Sequence, residues 1–270
     1  MSNRIAALPM YDFAELRSAH DDLWQALQDA LIADGISDVP SRLTRDLSHR
    51  DVWRHPSLLL AQACEYPLAG AFGGLLTLVA TPRYNAEGCD GARYRSAIIV
   101  RADDPIDGLG ALRGRRCVVN ELDSNSGMNL LRAAVAPFAS GSVFFKSVHL
   151  SGSHRRSIAM IVANEADVAA IDCVTLTHLR RLSPDLLQQV RTLCWTPASP
   201  SLPFVTARAT DKRTVAALRS AFVSVLSDPS TRALRERLLL DGVDLQPDAG
   251  LVRLRQLERT AIDAGYPLLV

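Results

Sequence analysis

The sequence predicts an α/β fold of two lobes, each a mixed sheet flanked by helices. Residues 95–177 repeat a strand, a short polar turn and a helix, and this alternation is typical of sheets covered by helices. The repeat stops at residues 196–203, where three of the eight residues are proline. With 270 residues, of which 48% are hydrophobic, the chain is long enough to bury two modest cores.

The lobes are predicted from where this repeat begins and ends. Lobe 1 is expected to combine residues 1–94 and 197–270, and lobe 2 to comprise residues 95–196. Because the chain would cross between the lobes twice, near residues 94–96 and 193–196, we expect a hinge and a ligand cleft between the lobes.

The N-terminal part begins with a predicted strand at residues 4–8. A helix at 15–33 follows, because leucines such as Leu16, Leu23 and Leu27 recur near helical spacing. The next elements, in order, are a strand at 41–47, a helix at 52–63, a strand at 75–80 and a loop at 81–91.

In the middle block, polar turns follow the predicted strands. The strands at 117–120, 143–150 and 168–171 lead into Asp123-Ser-Asn-Ser-Gly127, Ser151-Gly-Ser-His154 and Asp172-Cys-Val-Thr175, respectively. Open α/β sheets bind ligands outside the carboxyl ends of their strands, and helix N-termini there offer N–H groups to anions. These turns therefore predict a pocket for a small oxyanion. A short strand at 204–207 and helices at 215–226, 230–240 and 251–264 complete the chain.

Composition narrows the function classes. The net charge of +1 gives no electrostatic drive toward nucleic acid, and no window approaches the roughly 18 apolar residues that span a bilayer. The five scattered cysteines predict neither a disulfide framework nor a zinc site. We expect no cofactor and no direct membrane insertion. We also expect a cytoplasmic location for the chain as written, or a periplasmic one if the N-terminus has been trimmed.

Several motifs occur in a specific order between about residues 60 and 206. They are Gln62-Ala-Cys-Glu-Tyr-Pro-Leu68, Tyr94-Arg-Ser-Ala-Ile-Ile-Val100, Leu112-Arg-Gly-Arg-Arg-Cys-Val118, the serine-rich turn, Gly152-Ser-His154 and Ala166-Asp-Val-Ala-Ala-Ile-Asp172. This ordered set resembles the phosphate/phosphite/phosphonate substrate-binding proteins of ABC transporters, which have the type II periplasmic-binding-protein fold. The chain departs from them in showing no export signal and in carrying Glu65 where a glycine is expected before the tyrosine.

The resemblance implies a set of ligand-binding residues. The residues implied to hold the oxyanion are Ser124, Asn125, Ser126 and His154. Asp172 would contact an amine or another polar group, and Tyr66 and Tyr11 would form the opposing wall. Ser96 begins a strand at the proposed hinge and is a further candidate.

Each of these residues also has an ordinary structural explanation. Serine, asparagine and aspartate are preferred helix N-caps, a histidine in a first helical turn is commonly exposed, and tyrosines are common in cores. Backbone geometry alone would explain Ser96. If His154 lies in the pocket, it would bind an oxyanion best when protonated, so affinity would fall as the pH rises through the pKa of its imidazole.

We therefore expect a non-enzymatic solute-binding protein that closes on a phosphonate, phosphite, phosphate or similar oxyanion, with an ABC-transporter permease as partner. The alternatives are a cytoplasmic enzyme on the same fold, with Asp172, His154 or Glu65 as its acid or base, and a ligand-sensing regulator.

Overall fold

The structure is a computed structural model that describes residues 3–70, 72–139, 143–245 and 250–269. The chain divides into two compact units. The first unit contains Met1–Asn85, Asp90–Ala92 and Pro200–Asp248, and the second contains Ala86–Cys89, Arg93–Ser199 and Ala249–Val270.

The described chain contains both strands and helices. The strands are β1 (Ile5–Ala7), β2 (Leu58–Gln62), β3 (Leu76–Tyr84), β4 (Arg93–Tyr94), β5 (Ser96–Arg101), β6 (Arg116–Val119), β7 (Ser147–Leu150), β8 (Ala169–Asp172), β9 (Val190–Trp195), β10 (Ser199–Pro200), β11 (Phe204–Ala207) and β12 (Leu240–Asp244). The α-helices are α1 (Arg17–Ala33), α2 (His49–Arg54), α3 (Glu65–Ala69), α4 (Leu130–Ala139), α5 (His154–Val162), α6 (Cys173–Leu182), α7 (Pro184–Leu187), α8 (Lys212–Ser227), α9 (Arg232–Leu238) and α10 (Gly250–Asp263). A π-helical turn at Asn125–Asn129 leads directly into α4.

The first unit is built on a mixed sheet of strand order β1-β2-β11-β3-β12. Strand β1 runs parallel to β2, whereas β11 is antiparallel to both β2 and β3. All five residues of β2 are buried, as expected for a central strand covered on both faces.

The second unit is also built on mixed strand pairings. Strand β5 lies between β8 and β9 and is antiparallel to both, while β6 pairs in parallel with β7. A parallel bridge between Cys117 and Val168 links β6 to the segment that leads into β8. The carboxyl ends of β6, β7 and β8 consequently lie at one edge. Both units have sheets flanked by helices, which confirms the predicted fold class.

Two predicted elements of the first unit are wrong. The predicted helix at 52–63 ends after Arg54, and residues 58–62 form β2 instead. Pro56 follows the end of α2, and the Leu-Leu-Leu-Ala-Gln run has no polar face that a surface helix would need. The predicted strand at 41–47 is irregular, although Thr44 still donates a backbone hydrogen bond to Ala6.

The C-terminal segment belongs to the second unit, whereas the sequence analysis assigned it to lobe 1. Helix α10 packs on α4 and buries Leu254, Leu257 and Ala261. The Arg132 guanidinium, which is 4% exposed, donates to the carbonyl of Pro267 at 2.6 Å. The apolar face of α10 is therefore covered within the second unit. The last residue, Val270, lies outside the described residues.

Candidate functional site

A polar cluster occupies the edge of the second unit where β6, β7 and β8 end. Asn120 follows β6 directly, His154 begins α5 after β7, and Asp172 is the last residue of β8. Ser96, the first residue of β5, is the cross-strand partner of Asp172. The π-helical turn Asn125–Asn129 packs against β8. The structure thus brings together the six candidate residues predicted in this unit, at the carboxyl edge that the strand–turn–helix repeat indicated.

Ser124 caps the helix that follows the turn. Its Oγ accepts a hydrogen bond from the Gly127 N–H at 3.0 Å, and its backbone conformation is extended, as is usual for an N-cap. The Oγ atoms of Ser124 and Ser126 are 3.4 Å apart, and both side chains are buried. The capping interpretation is confirmed for Ser124, and because a cap uses the oxygen as acceptor, the hydroxyl proton can be donated to Ser126 Oγ or to a ligand.

Asn125 is a structural hub of the turn. The side chain is 1% exposed, and its Nδ2 donates to Tyr94 Oη at 3.0 Å and to Ser199 Oγ at 2.8 Å. Its Oδ1 accepts from Asn129 Nδ2 at 3.0 Å. Both amide protons are consequently used inside the protein, so this side chain has no donor left for an oxyanion.

Ser126 and His154 form a hydroxyl–imidazole pair. Ser126 Oγ lies 2.8 Å from His154 Nε2, and the tautomer decides which atom donates. Burial lowers the pKa of the His154 imidazole from 6.5 to about 4, because the charged ring loses its hydration. The ring is therefore neutral near pH 7, and the expected fall of oxyanion affinity with rising pH stays a prediction.

The turn and α5 are closely packed through a glycine. A Cβ atom at Gly127 would lie 1.9 Å from Asn120 Oδ1 and 3.3 Å from His154 Cε1. Only glycine lets Asn120 approach the turn this closely, which explains the glycine after the two serines in physical terms. The same packing holds the imidazole beside the turn.

Three polar atoms at this edge are buried and have no hydrogen-bond partner among the described residues. They are His154 Nδ1, Asn120 Oδ1 and Ser96 Oγ. Buried polar atoms normally have partners, and an orphaned one costs roughly 1–3 kcal/mol. Their clustering at one sheet edge therefore favours a polar ligand-binding surface over an inert core.

Asp172 is also a helix cap. Its Oδ1 accepts from the Thr175 N–H at 2.8 Å, and the side chain is 2% exposed. This confirms the N-cap interpretation.

The two predicted tyrosines lie in the first unit, Tyr11 in the loop after β1 and Tyr66 in α3. Tyr11 is 4% exposed and makes an edge-on contact with the ring of Tyr84, with 5.4 Å between the ring centroids. Its core interpretation is supported by this burial. Tyr66 lies in α3 and is half-buried, directly after the buried Glu65.

Sequence reasoning missed several residues that support the turn. Tyr94 and Ser199 fix Asn125, while Asn129 connects Asn125 to Arg132 through Oδ1, 2.8 Å from a guanidinium nitrogen. The sequence did hold one indication of this network: Asn125 and Asn129 are four positions apart, which places both amides on one helix face. Asn120 was recognisable only as a polar residue after a strand.

Among the described residues, no helix combines the length and apolarity needed to cross a bilayer. Within the same residues, no three histidine, cysteine or acidic side chains are grouped so that they could hold a metal ion.

Comparison with proteins of known structure supports the fold. A binding-protein component of an ABC phosphonate transporter from Pseudomonas aeruginosa superimposes with a TM-score of 0.75 at 18% identity, covering 97% of this chain and 87% of that one. A protein from Prochlorococcus marinus in complex with methylphosphonate gives a TM-score of 0.72 at 14% identity, with 95% and 96% coverage. The fold is that of the type II periplasmic binding proteins.

Sequence comparison identifies the family. The phosphonates-binding periplasmic protein of Escherichia coli is 26% identical over 199 residues, which cover 69% of this chain. The match spans 58% of that relative's length. The family model of the ABC-transporter phosphonate periplasmic substrate-binding proteins matches residues 58–249, a stretch that contains the serine turn, α5 and Asp172. The chain belongs to the family of periplasmic substrate-binding proteins of phosphonate ABC transporters.

Proposed function

We propose that this protein is a solute-binding protein that captures a small phosphorus oxyanion, namely a phosphonate, phosphite or phosphate, for an ABC-transporter permease. We further propose that the serine turn and the N-terminus of α5 hold the oxyanion. The observation that carries the site assignment is the partly buried Ser126–His154 pair, whose imidazole Nδ1 has no partner among the described residues.

The chemistry of the pair suits a neutral donor site. When the Ser126 hydroxyl donates to His154 Nε2, the proton of the neutral ring lies on Nδ1 and can be donated to a ligand oxygen. Ser124 adds a second hydroxyl, because its cap bond uses only the oxygen lone pair. Hydrogen bonds to a charged oxygen contribute about 1.5–3 kcal/mol each. Such donors favour oxyanion binding without a buried cation.

Asp172 and Ser96 favour a ligand with a second polar group. They are cross-strand neighbours, so both side chains lie on one face of the β5–β8 pair. A carboxylate repels a bare oxyanion but accepts hydrogen bonds from an ammonium group. We therefore propose aminoalkylphosphonates as the preferred class, with Asp172 as the amine contact and the Ser96 hydroxyl beside it.

Other expected roles remain predictions. They are a second ligand wall formed by Tyr11 and Tyr66, hinge closure, and a ligand contact by Asn125. The cytoplasmic location is not supported by the family model, whose description is periplasmic.

Isothermal titration calorimetry with methylphosphonate, 2-aminoethylphosphonate, phosphite, phosphate and sulfate tests the proposal. We expect tightest binding for 2-aminoethylphosphonate and at least tenfold weaker binding in Ser126→Ala and His154→Ala, since about 1.4 kcal/mol corresponds to tenfold. Ser220→Ala, an exposed serine on α8, is the matched control and should bind normally.

The outcomes separate the function from the site. Binding that is unchanged in both variants would remove the serine turn from the site while leaving the function intact. An absence of binding to all the phosphorus compounds by the folded protein would contradict the function itself. Asp172→Asn should weaken binding of 2-aminoethylphosphonate more than that of methylphosphonate, and an equal loss for the two compounds would refute the amine contact.

A further inference from the structure

Two cysteines of the second unit have adjacent sulfur atoms. Cys89 Sγ lies 3.4 Å from Cys173 Sγ, although 84 positions separate them in the sequence. Both are free thiols. The spacing of the cysteines gave no indication of this pair, since no CxxC motif is present. Only the fold brings the two residues together.

The loop that carries Cys89 is held against α6 by several contacts. Glu87 forms an ion pair with Arg180 of α6 at 2.6 Å, and the Cys89 N–H donates to the Ala86 carbonyl at 3.0 Å. Gly88 has a φ of +95°, and a Cβ atom there would lie 3.0 Å from Cys173 Cβ and 2.7 Å from Trp195 Cζ3. Glycine therefore allows close backbone approach at the position next to Cys89.

We propose that Cys89 and Cys173 are a modification site that closes to an intramolecular disulfide in the presence of a disulfide oxidant such as oxidised glutathione. A disulfide has an S–S distance of about 2.05 Å, so the sulfurs must approach by about 1.4 Å. Rotation of the cysteine side chains supplies such a movement, because the loop is already seated on α6. The proposal does not depend on the identity of the ligand.

The reaction proceeds by two thiol–disulfide exchanges. The Cys89 thiolate attacks one sulfur of the oxidant, forms a mixed disulfide and releases one thiol. The Cys173 thiolate then attacks Cys89 Sγ, forms the intramolecular bond and releases the second thiol. The protein loses two electrons and two protons, and the oxidant becomes two thiols.

The environments of the two sulfurs set this order. Cys89 is half-buried, whereas Cys173 is fully buried at the start of α6. The contact with Cys89, burial and the charge of Asp172 raise the pKa of the Cys173 thiol, so Cys173 is the poorer first nucleophile. Once the mixed disulfide has formed, Cys173 is the thiol within reach and acts as the resolving cysteine.

The test is to incubate the folded full-length protein with oxidised glutathione and then count free thiols in denaturant. We expect three of the five thiols to remain, with non-reducing peptide mapping that links Cys89 to Cys173. The unfolding temperature should rise by about 5–15 °C, because the bond closes a long loop of the unfolded chain. Added reductant should reverse the shift.

Two variants complete the test. Cys194→Ser replaces a cysteine of β9 outside the pair and should still form the bond, whereas Cys89→Ser should not form it or show the temperature shift. Five titratable thiols after incubation would overturn the proposal. So would a glutathione adduct that persists on Cys89, or a bond from either residue to another cysteine.

Discussion

The replacement Asn125→Ala tests whether the serine turn is a scaffold as well as a binding element. In the structure this amide makes three buried hydrogen bonds, with Tyr94, Ser199 and Asn129, at 2.8–3.0 Å. Alanine removes all three and leaves their partners in a space that is closed to water. We therefore expect the main effect on stability, with any effect on ligand contacts secondary.

The magnitude follows from the number of bonds lost. A buried hydrogen bond contributes about 1 kcal/mol net, so the loss of three lowers the free energy of unfolding by about 3 kcal/mol. The small cavity left by the amide adds to this cost. With a urea dependence of about 1–3 kcal/mol/M, the unfolding midpoint should fall by about 1 M or more.

Urea unfolding followed by circular dichroism measures this change. Asn85→Ala, at an exposed asparagine, is the matched control and should shift stability by less than about 0.5 kcal/mol. A double-mutant cycle with Ser199→Ala should show a coupling of about 1 kcal/mol between the two side chains. An Asn125→Ala protein with the normal midpoint but no ligand binding would refute the scaffold argument and make the amide a ligand contact.

Two further predictions concern His154 and Gly127. Burial lowers the pKa of His154 in the folded protein to about 4, so the unfolded chain binds this proton more readily. The contribution of the neutral His154 side chain to stability is therefore full above about pH 6.5 and is lost as the pH falls toward 4. Unfolding midpoints between pH 7 and 4.5 should therefore fall more steeply for the wild type than for His154→Gln, and parallel curves would count against a buried neutral imidazole. Gly127→Ala should lower the free energy of unfolding by about 1–3 kcal/mol, because the added Cβ overpacks against Asn120. Gly108→Ala is the control, because a Cβ at Gly108 meets nothing within 4 Å. Equal unfolding midpoints for these two variants would contradict the tight packing of the turn.

The candidate site was largely predictable because it depends on local order along the chain. A polar residue after a buried strand and before a helix lies at a sheet edge in any α/β fold, so Ser124, Ser126, His154 and Asp172 could be found without coordinates. The hydrogen-bonding role of Asn125 could not, because Tyr94 and Ser199 come from distant parts of the sequence. The sequence also gave no indication that burial would suppress protonation of the imidazole.

Errors in the fold arose where tertiary context outweighed local pattern. Residues 58–62 match a buried helix as well as a buried strand, and the parallel pairing with β1 decides between them. The end of the chain was assigned to lobe 1 because a periodic apolar face in α10 indicates burial but does not identify the surface that buries it. The π-helical turn at Asn125–Asn129 also lies beyond what apolar spacing can predict.

The C-terminal segment affects the order in which the two units can fold during synthesis. The second unit buries Leu254, Leu257 and Tyr266, and its Arg132 donates to the carbonyl of Pro267. These residues are synthesised after the serine turn and after all the strands of the second unit. Since domains generally fold as units during synthesis, the first unit can acquire its whole sheet while the second still lacks the helix that covers α4. The unit that carries the candidate site therefore completes its core only after Leu254, Leu257 and Tyr266 have been synthesised.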